Sequence, residues 1–244
     1  MKFRNVRLAK TYDYCGSDKP KLTVIMIHGI ASDSTTFSRL LKHLEKIPSL
    51  QSVRFVTFDL LGSGKSAKGP NYKYDYNDQL TALRNSIRAL KTKTPLVLVG
   101  HSLGTFIVTR YASKYKKRIS RLILISSPIY TVDDLNNPAF MLAIKAFKDA
   151  VAVKNRKILK DRAFNNSMEY IVMNHDNYET LAKIKVPTDL ICGREDKIIA
   201  SRNLPKILKD NPRYISLTKT RGKHSITPDK YEKVDKILEE EIDA

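Results

Sequence analysis

Ser102, Asp196 and His224 stand in this order along the 244-residue chain. A serine hydroxyl is a poor nucleophile at neutral pH. It needs a base to take its proton, and a carboxylate to orient that base and stabilise it once charged. These three residue types would supply nucleophile, base and orienting acid for acyl transfer. Ser102 lies in Gly100-His101-Ser102-Leu103-Gly104, a G-x-S-x-G pattern that places a serine on a sharp strand-to-helix turn. The flanking glycines fit a turn in which larger side chains would meet neighbouring backbone. On its own the pattern is weak, since a glycine-rich turn with an incidental serine matches it equally well. Its context and the order of its partners give it weight.

Each partner has rivals. Glu195, Asp133 and Asp134 compete with Asp196, and His28, His43, His101 and His175 compete with His224. Asp196 follows the apolar run Leu190-Ile191-Cys192-Gly193, and His224 follows Tyr214-Ile215-Ser216-Leu217. Both are therefore expected at the carboxyl edge of a sheet, where Ser102 is also expected. His224 is the only histidine after the acid, whereas His28 and His101 abut the segments that would shape the site. His175 reads as a surface histidine.

The elements that must position these residues can be read from periodicity. Leu96-Val97-Leu98-Val99 is a fully apolar run leading into the serine turn, and Phe106 to Ala112 reads as a buried helix after it. That helix would aim its first N–H groups at the serine, where negative charge develops. Further apolar strands are expected at 22–27, 53–58 and 121–126, with helices around Phe37–Leu44, where Ser34 or Thr35 would cap, and over 78–89. One or two short edge strands are expected within the first twenty residues. Strands alternating with helices argue for a mostly parallel sheet covered on both faces, an α/β fold. From 129 to 182 no strand is evident and two helical patterns dominate, 138–153 and 154–173. This stretch reads as a helical cap inserted into a core formed by 1–128 and 183–244. Phe140, Met141, Phe147, Phe164 and Met168 are candidate pocket residues there, although such positions more often pack one helix on another. A closing helix is expected over 228–242.

Gly62-Ser63-Gly64-Lys65-Ser66 resembles the tail of a phosphate-binding loop, but G-x-x-x-x-G-K-[ST] requires glycine where Asp59 stands. The formal net charge is +19. The basic residues are scattered rather than gathered in a nucleic-acid motif, so no specific nucleic-acid site is expected. A salt-sensitive attraction to anionic membrane surfaces is expected instead. The 129–182 stretch holds seven Lys and Arg against seven Asp and Glu, so the excess belongs to the body. No apolar run approaches the roughly 20 residues of a membrane span, and no secretory leader is evident, so a cytoplasmic location is expected. Cys15 and Cys192 suggest no disulfide framework.

Together His28-Gly29, Asp59-Leu60-Leu61-Gly62-Ser63-Gly64-Lys65-Ser66, the serine turn, Gly193-Arg194-Glu195-Asp196 and Gly222-Lys223-His224-Ser225 resemble the α/β-hydrolase superfamily along nearly the whole chain. The resemblance implies a Ser102–His224–Asp196 triad and an oxyanion hole formed by the backbone N–H groups of Ile30 and Leu103. It also implies that 59–66 is the family's D-x-x-G-x-G-x-S loop, and that no cofactor or metal is needed. It points to cleavage of small carboxylic esters, of carboxylesterase or monoacylglycerol-lipase type. Thioesterase, amidase, C–C hydrolase and perhydrolase chemistry, or a non-catalytic ligand receptor, stay open on the same fold. Three features depart from relatives: a short N-terminal hairpin, no His-Gly-Gly-Gly motif, and a serine where dehalogenases and epoxide hydrolases carry aspartate.

Overall fold

The computed structural model describes residues 5–154, 161–173, 177–199 and 201–243. Seven strands form one sheet: β1 (Ala9–Tyr14), β2 (Leu22–Ile27), β3 (Val53–Asp59), β4 (Leu96–His101), β5 (Ile119–Ile125), β6 (Thr188–Gly193) and β7 (Ile215–Thr220). Their order is β1-β3-β2-β4-β5-β6-β7. Every pair is parallel except β1 with β3, which is antiparallel at the edge. The sequence requires this arrangement. β2 is buried at all six positions, and a run without polar alternation can be satisfied only by cover on both faces.

The helices that supply this cover are α1 (Ser38–Leu44), α2 (Tyr76–Ala89), α3 (Leu103–Lys114), α4 (Val132–Asn136), α5 (Pro138–Lys154), α6 (Arg162–Ser167), α7 (Asn177–Ala182), α8 (Leu204–Asp210) and α9 (Pro228–Asp243). Alternate residues of each strand divide between two cores. Ile25, Ile27, Leu98, Leu122 and Leu124 pack with α2, α3, α8 and the helices after β5. Val24, Met26, Val97, Val99, Ile123 and Ile125 pack with α1 and α9. Each such fully buried aliphatic side chain contributes about 1.5–3 kcal/mol. Polar contacts also fasten α9: Asp235 to His43 of α1 at 2.8 Å, and Glu241 to Arg121 of β5 at 2.7 Å.

Two expectations are corrected. The helical turn before α1 is capped by Asp33, whose side chain accepts from the Thr35 N–H, rather than by Ser34 or Thr35. The stretch expected as one helix over 154–173 is not continuous. α6 is followed by a π-helical turn, Met168–Val172, and 155–160 lie outside the described residues. α7 packs against α3 and α8, so the end of the 129–182 stretch rests on the body. Cys15 and Cys192 are both free. Among the described residues, no helix is long and apolar enough to cross a membrane.

Candidate active site

β4 ends at His101 and α3 begins at Leu103, leaving Ser102 alone to turn the chain. Its backbone is left-handed, φ 51° and ψ −117°, a strain of about 1–3 kcal/mol for a non-glycine residue. The turn is held by Ser102 N–H donating to Ile125 O at 3.0 Å, and by Thr105 donating to Ser102 O through its N–H at 2.9 Å and its hydroxyl at 2.6 Å. A Cβ on Gly100 would lie 2.7 Å from Thr105 N, and one on Gly104 would lie 2.1 Å from Ile27 O. Both glycines are therefore steric requirements, Gly100 of folding α3 back on β4 and Gly104 of bringing α3 against β2. Ser102 is 8% exposed.

Asp196 follows β6 and His224 follows β7, and the structure brings them together. His224 Nδ1 lies 2.8 Å from Asp196 Oδ2. Asp196 Oδ1 accepts from the Ile198 N–H at 3.0 Å. Burial works to raise the Asp196 pKa. The hydrogen bond and charge of His224, the Ile198 N–H and the Ser126 hydroxyl outweigh it and hold the carboxyl below its ordinary value. A carboxylate at Nδ1 requires the proton there, so Nε2 carries the lone pair. That Nε2 is buried with no hydrogen-bond partner. It exchanges no hydrogen bond with the Ser102 hydroxyl in this structure, and such bonds commonly tighten only with substrate bound.

The rival residues that the structure describes have other surroundings or partners. Glu195 is exposed. Asp134 closes a capping box with Thr131 and binds Arg202 and Asn203, while Asp133 is exposed in the same short helix. His43 pairs with Asp235. His28 Nε2 accepts from Leu60 N–H at 3.0 Å, so its Nδ1 donates to Gly29 O at 2.7 Å. Burial lowers its pKa and favours this neutral form. His101 Nε2 donates to His224 O at 3.0 Å, and burial lowers its pKa to about 4. His175 lies outside the described residues.

His28 also orients the proposed anion site. With Gly29 O turned to His28, the trans peptide points the Ile30 N–H the opposite way. Leu103 is the first residue of α3, where N–H groups have no partner within the helix. Neither the Ile30 nor the Leu103 N–H donates to a protein acceptor among the described residues. Both residues line a cavity of about 240 Å³, which also contains Leu61, Gln79, Phe164 and Ser167. Asp33, Lys68 and Asp161 add charge to its wall. Of the expected pocket residues, Phe164 lines this cavity. Met168 is buried in the core, and Phe140 packs edge-on to Tyr130 at 4.8 Å between ring centres. Met141 and Phe147 are half-buried on α5 and lie outside the cavity wall.

The 59–66 loop carries no phosphate-binding geometry. Asp59 is buried and accepts from the N–H groups of Ser34 at 2.8 Å and Lys65 at 2.7 Å, while the Ser66 hydroxyl donates to Asp59 O. Two further residues, Lys230 and Gly193, shape the ground beneath the His224 loop. Lys230 is fully buried beneath the His224 loop. A Cβ on Gly193 would lie 2.2 Å from Gly222 O and 2.5 Å from Lys223 O. Its place in Gly193-Arg194-Glu195-Asp196 was the available signal, whereas Lys230 had none. Among the described residues, no cluster of three or more His, Cys, Asp or Glu is arranged to hold a metal ion.

Comparison with known proteins agrees with this architecture. A sequence profile for the alpha/beta hydrolase fold matches residues 23–156. Lipase 1 of Psychrobacter immobilis is 26% identical over 219 residues, covering 78% of this chain and 67% of the relative. The abhydrolase domain-containing protein abhd-5.2 of Caenorhabditis elegans is 31% identical over 129 residues, 50% of this chain and 28% of the relative. Against that protein the match spans under a third of the relative's length. Among solved structures, an esterase from Exiguobacterium antarcticum superposes with a TM-score of 0.68 at 20% identity, covering 98% of this chain and all of the other. E-2-(Acetamidomethylene)succinate hydrolase gives 0.68 at 21% identity, with 93% of each chain covered; both likenesses concern the fold. The profile covers more than half of the chain, and the chain belongs to the alpha/beta hydrolase fold family.

Proposed function

We propose that this protein is a serine hydrolase of small carboxylic esters. The observation that carries the reading is the His224–Asp196 pair, with Nδ1 bonded at 2.8 Å, Nε2 buried and unpartnered, and the ring 5.3 Å from that of His101, the residue before Ser102. Ser102 Oγ attacks the acyl carbon as its proton passes to His224 Nε2. The carbonyl oxygen becomes an oxyanion facing the Ile30 and Leu103 N–H groups, an interaction whose loss typically costs about 100- to 1,000-fold in rate. The C–O bond to the alcohol then breaks, and the alcohol leaves with the proton from Nε2. Water attacks the acyl-enzyme, gives a proton to Nε2 and releases the acid, and Ser102 recovers its hydrogen. Asp196 holds the tautomer and balances the transient imidazolium.

A cavity of about 240 Å³ with charged walls is below the usual range for drug-sized ligands and favours a short acyl group. p-Nitrophenyl acetate and butyrate are expected to turn over faster than laurate and palmitate. Ser102→Ala is expected to lower kcat by about 10⁴-fold or more. Equal turnover by the variant would refute the assignment. Preference for long chains would refute the short-acyl reading alone. Tight ligand binding without turnover in the wild type would favour a receptor.

A further inference from the structure

One lysine is wholly enclosed behind the site. Lys230 has no exposed surface and stands in the first turn of α9. A helix N-terminus disfavours a cation, and burial penalises any charge that is not fully hydrogen-bonded. Neither helix stability nor packing accounts for a lysine there, so its partners must.

There are three partners, each 2.8 Å from Nζ: Ser126 Oγ, Lys223 O and Ser225 O. They match the three N–H donors of an ammonium. The two carbonyls flank His224. The carbonyl of His224 itself accepts from His101 Nε2 at 3.0 Å. Three consecutive carbonyls, 223 to 225, are thus fixed from within the protein. The peptide planes on either side of the His224 Cα are set, and the bond to Asp196 sets the ring. The third partner, Ser126, directly follows β5, so the ammonium ties the His224 loop to the end of that strand. The other groups facing the ammonium are Asp196, whose charge favours it, and the Cys192 thiol, which burial pushes up to about 12 and keeps neutral.

We propose that Lys230 is a positioning residue for the base: it clamps the backbone on both sides of His224 and ties it, through Ser126, to the end of β5. This rests on the reading of His224 as the general base. Lys230 itself touches no substrate.

Lys230→Met keeps the length of the side chain and removes all three hydrogen bonds. The expected result is a folded protein whose kcat falls about 30- to 100-fold with KM unchanged, because a small misplacement of a catalytic group costs rate rather than binding. The downfield proton resonance of the His224–Asp196 hydrogen bond is expected to weaken or vanish in the same variant. Ser126→Ala retains both carbonyl bonds and is expected to cost about five- to tenfold in kcat, which keeps the test informative if Lys230→Met fails to fold. Wild-type kcat and an intact resonance in folded Lys230→Met would overturn the proposal, as would wild-type kcat in Ser126→Ala if the methionine variant does not fold. The resonance needs no substrate. A wild type that cleaves no ester would therefore sink the hydrolase reading without removing this test.

Discussion

Ser102 combines the reactive hydroxyl with an unfavourable backbone. A φ of 51° is tolerated because β5 and α3 both bond to the turn. Glycine adopts that conformation freely. Ser102→Gly should therefore abolish ester turnover and raise stability by about 1 kcal/mol, read as a higher Tm; an unchanged or lower Tm would argue against stored strain. His101 carries a second consequence. Its folded pKa is about 4 against an ordinary value of 6.5, so between these values the unfolded chain binds the proton and the folded chain does not. The sign follows from linkage: stability is fully present above 6.5 and falls as pH drops toward 4. Denaturant titrations of wild type and His101→Gln across this window should show a steep dependence in the first and a shallower one in the second. The His224–Asp196 pair was legible at this scale, because each residue follows a strand-like run that delivers it to one edge of the sheet. Lys230 was not legible. A lysine in an amphipathic helix reads as solvent-facing, and only the fold shows that its turn lies under the His224 loop.

The loops between elements hold the site as firmly as the strands do. Asp59, at the end of β3, accepts N–H groups from the loop before α1 and from the 62–66 turn. Asp59→Ala would strand the buried Ser34 N–H and release the part-buried Lys65 N–H to solvent. The expected loss of roughly 1–3 kcal/mol would appear as a lower denaturation midpoint, whereas an unchanged midpoint would mean that water replaces the carboxylate. Strands were legible because β2 and β4 are nearly continuous apolar runs, a pattern that two-sided burial imposes. The stretch between β5 and β6 was less so. Periodicity near Phe164 and Met168 reports burial without saying against what, and a π-helical turn at 168–172 shifts the phase that an α-helical reading assumes. Phe164 and Met168 share one core, and of the two only Phe164 also lines the cavity.

At the scale of the molecule, the charge excess has a location that the linear sequence scatters. Arg84, Arg88, Lys91, Lys114, Lys116, Lys117 and Arg118 line one groove of about 670 Å³ where β4 begins, at the edge of the sheet opposite Ser102. Among the described residues, none of these seven takes part in an ion pair. Helices α2 and α3 and the turns after them bring together residues about thirty positions apart, so only the topology reveals the groove. Phosphatidylserine vesicles are expected to co-sediment the protein at low salt and release it as the Debye length shrinks below about 10 Å. Lys116→Glu with Lys117→Glu should weaken binding without changing ester turnover. Equal binding to neutral vesicles, or binding indifferent to salt, would contradict an electrostatic origin.

The central claim is that Ser102 is a nucleophile activated by His224 and Asp196. Its most direct test is intact-mass and peptide-mapping analysis after treatment with a fluorophosphonate. The account predicts one adduct per chain, on the peptide containing Ser102, absent from Ser102→Ala and formed far more slowly in His224→Ala. An adduct on another residue, or undiminished labelling of Ser102→Ala, would contradict it.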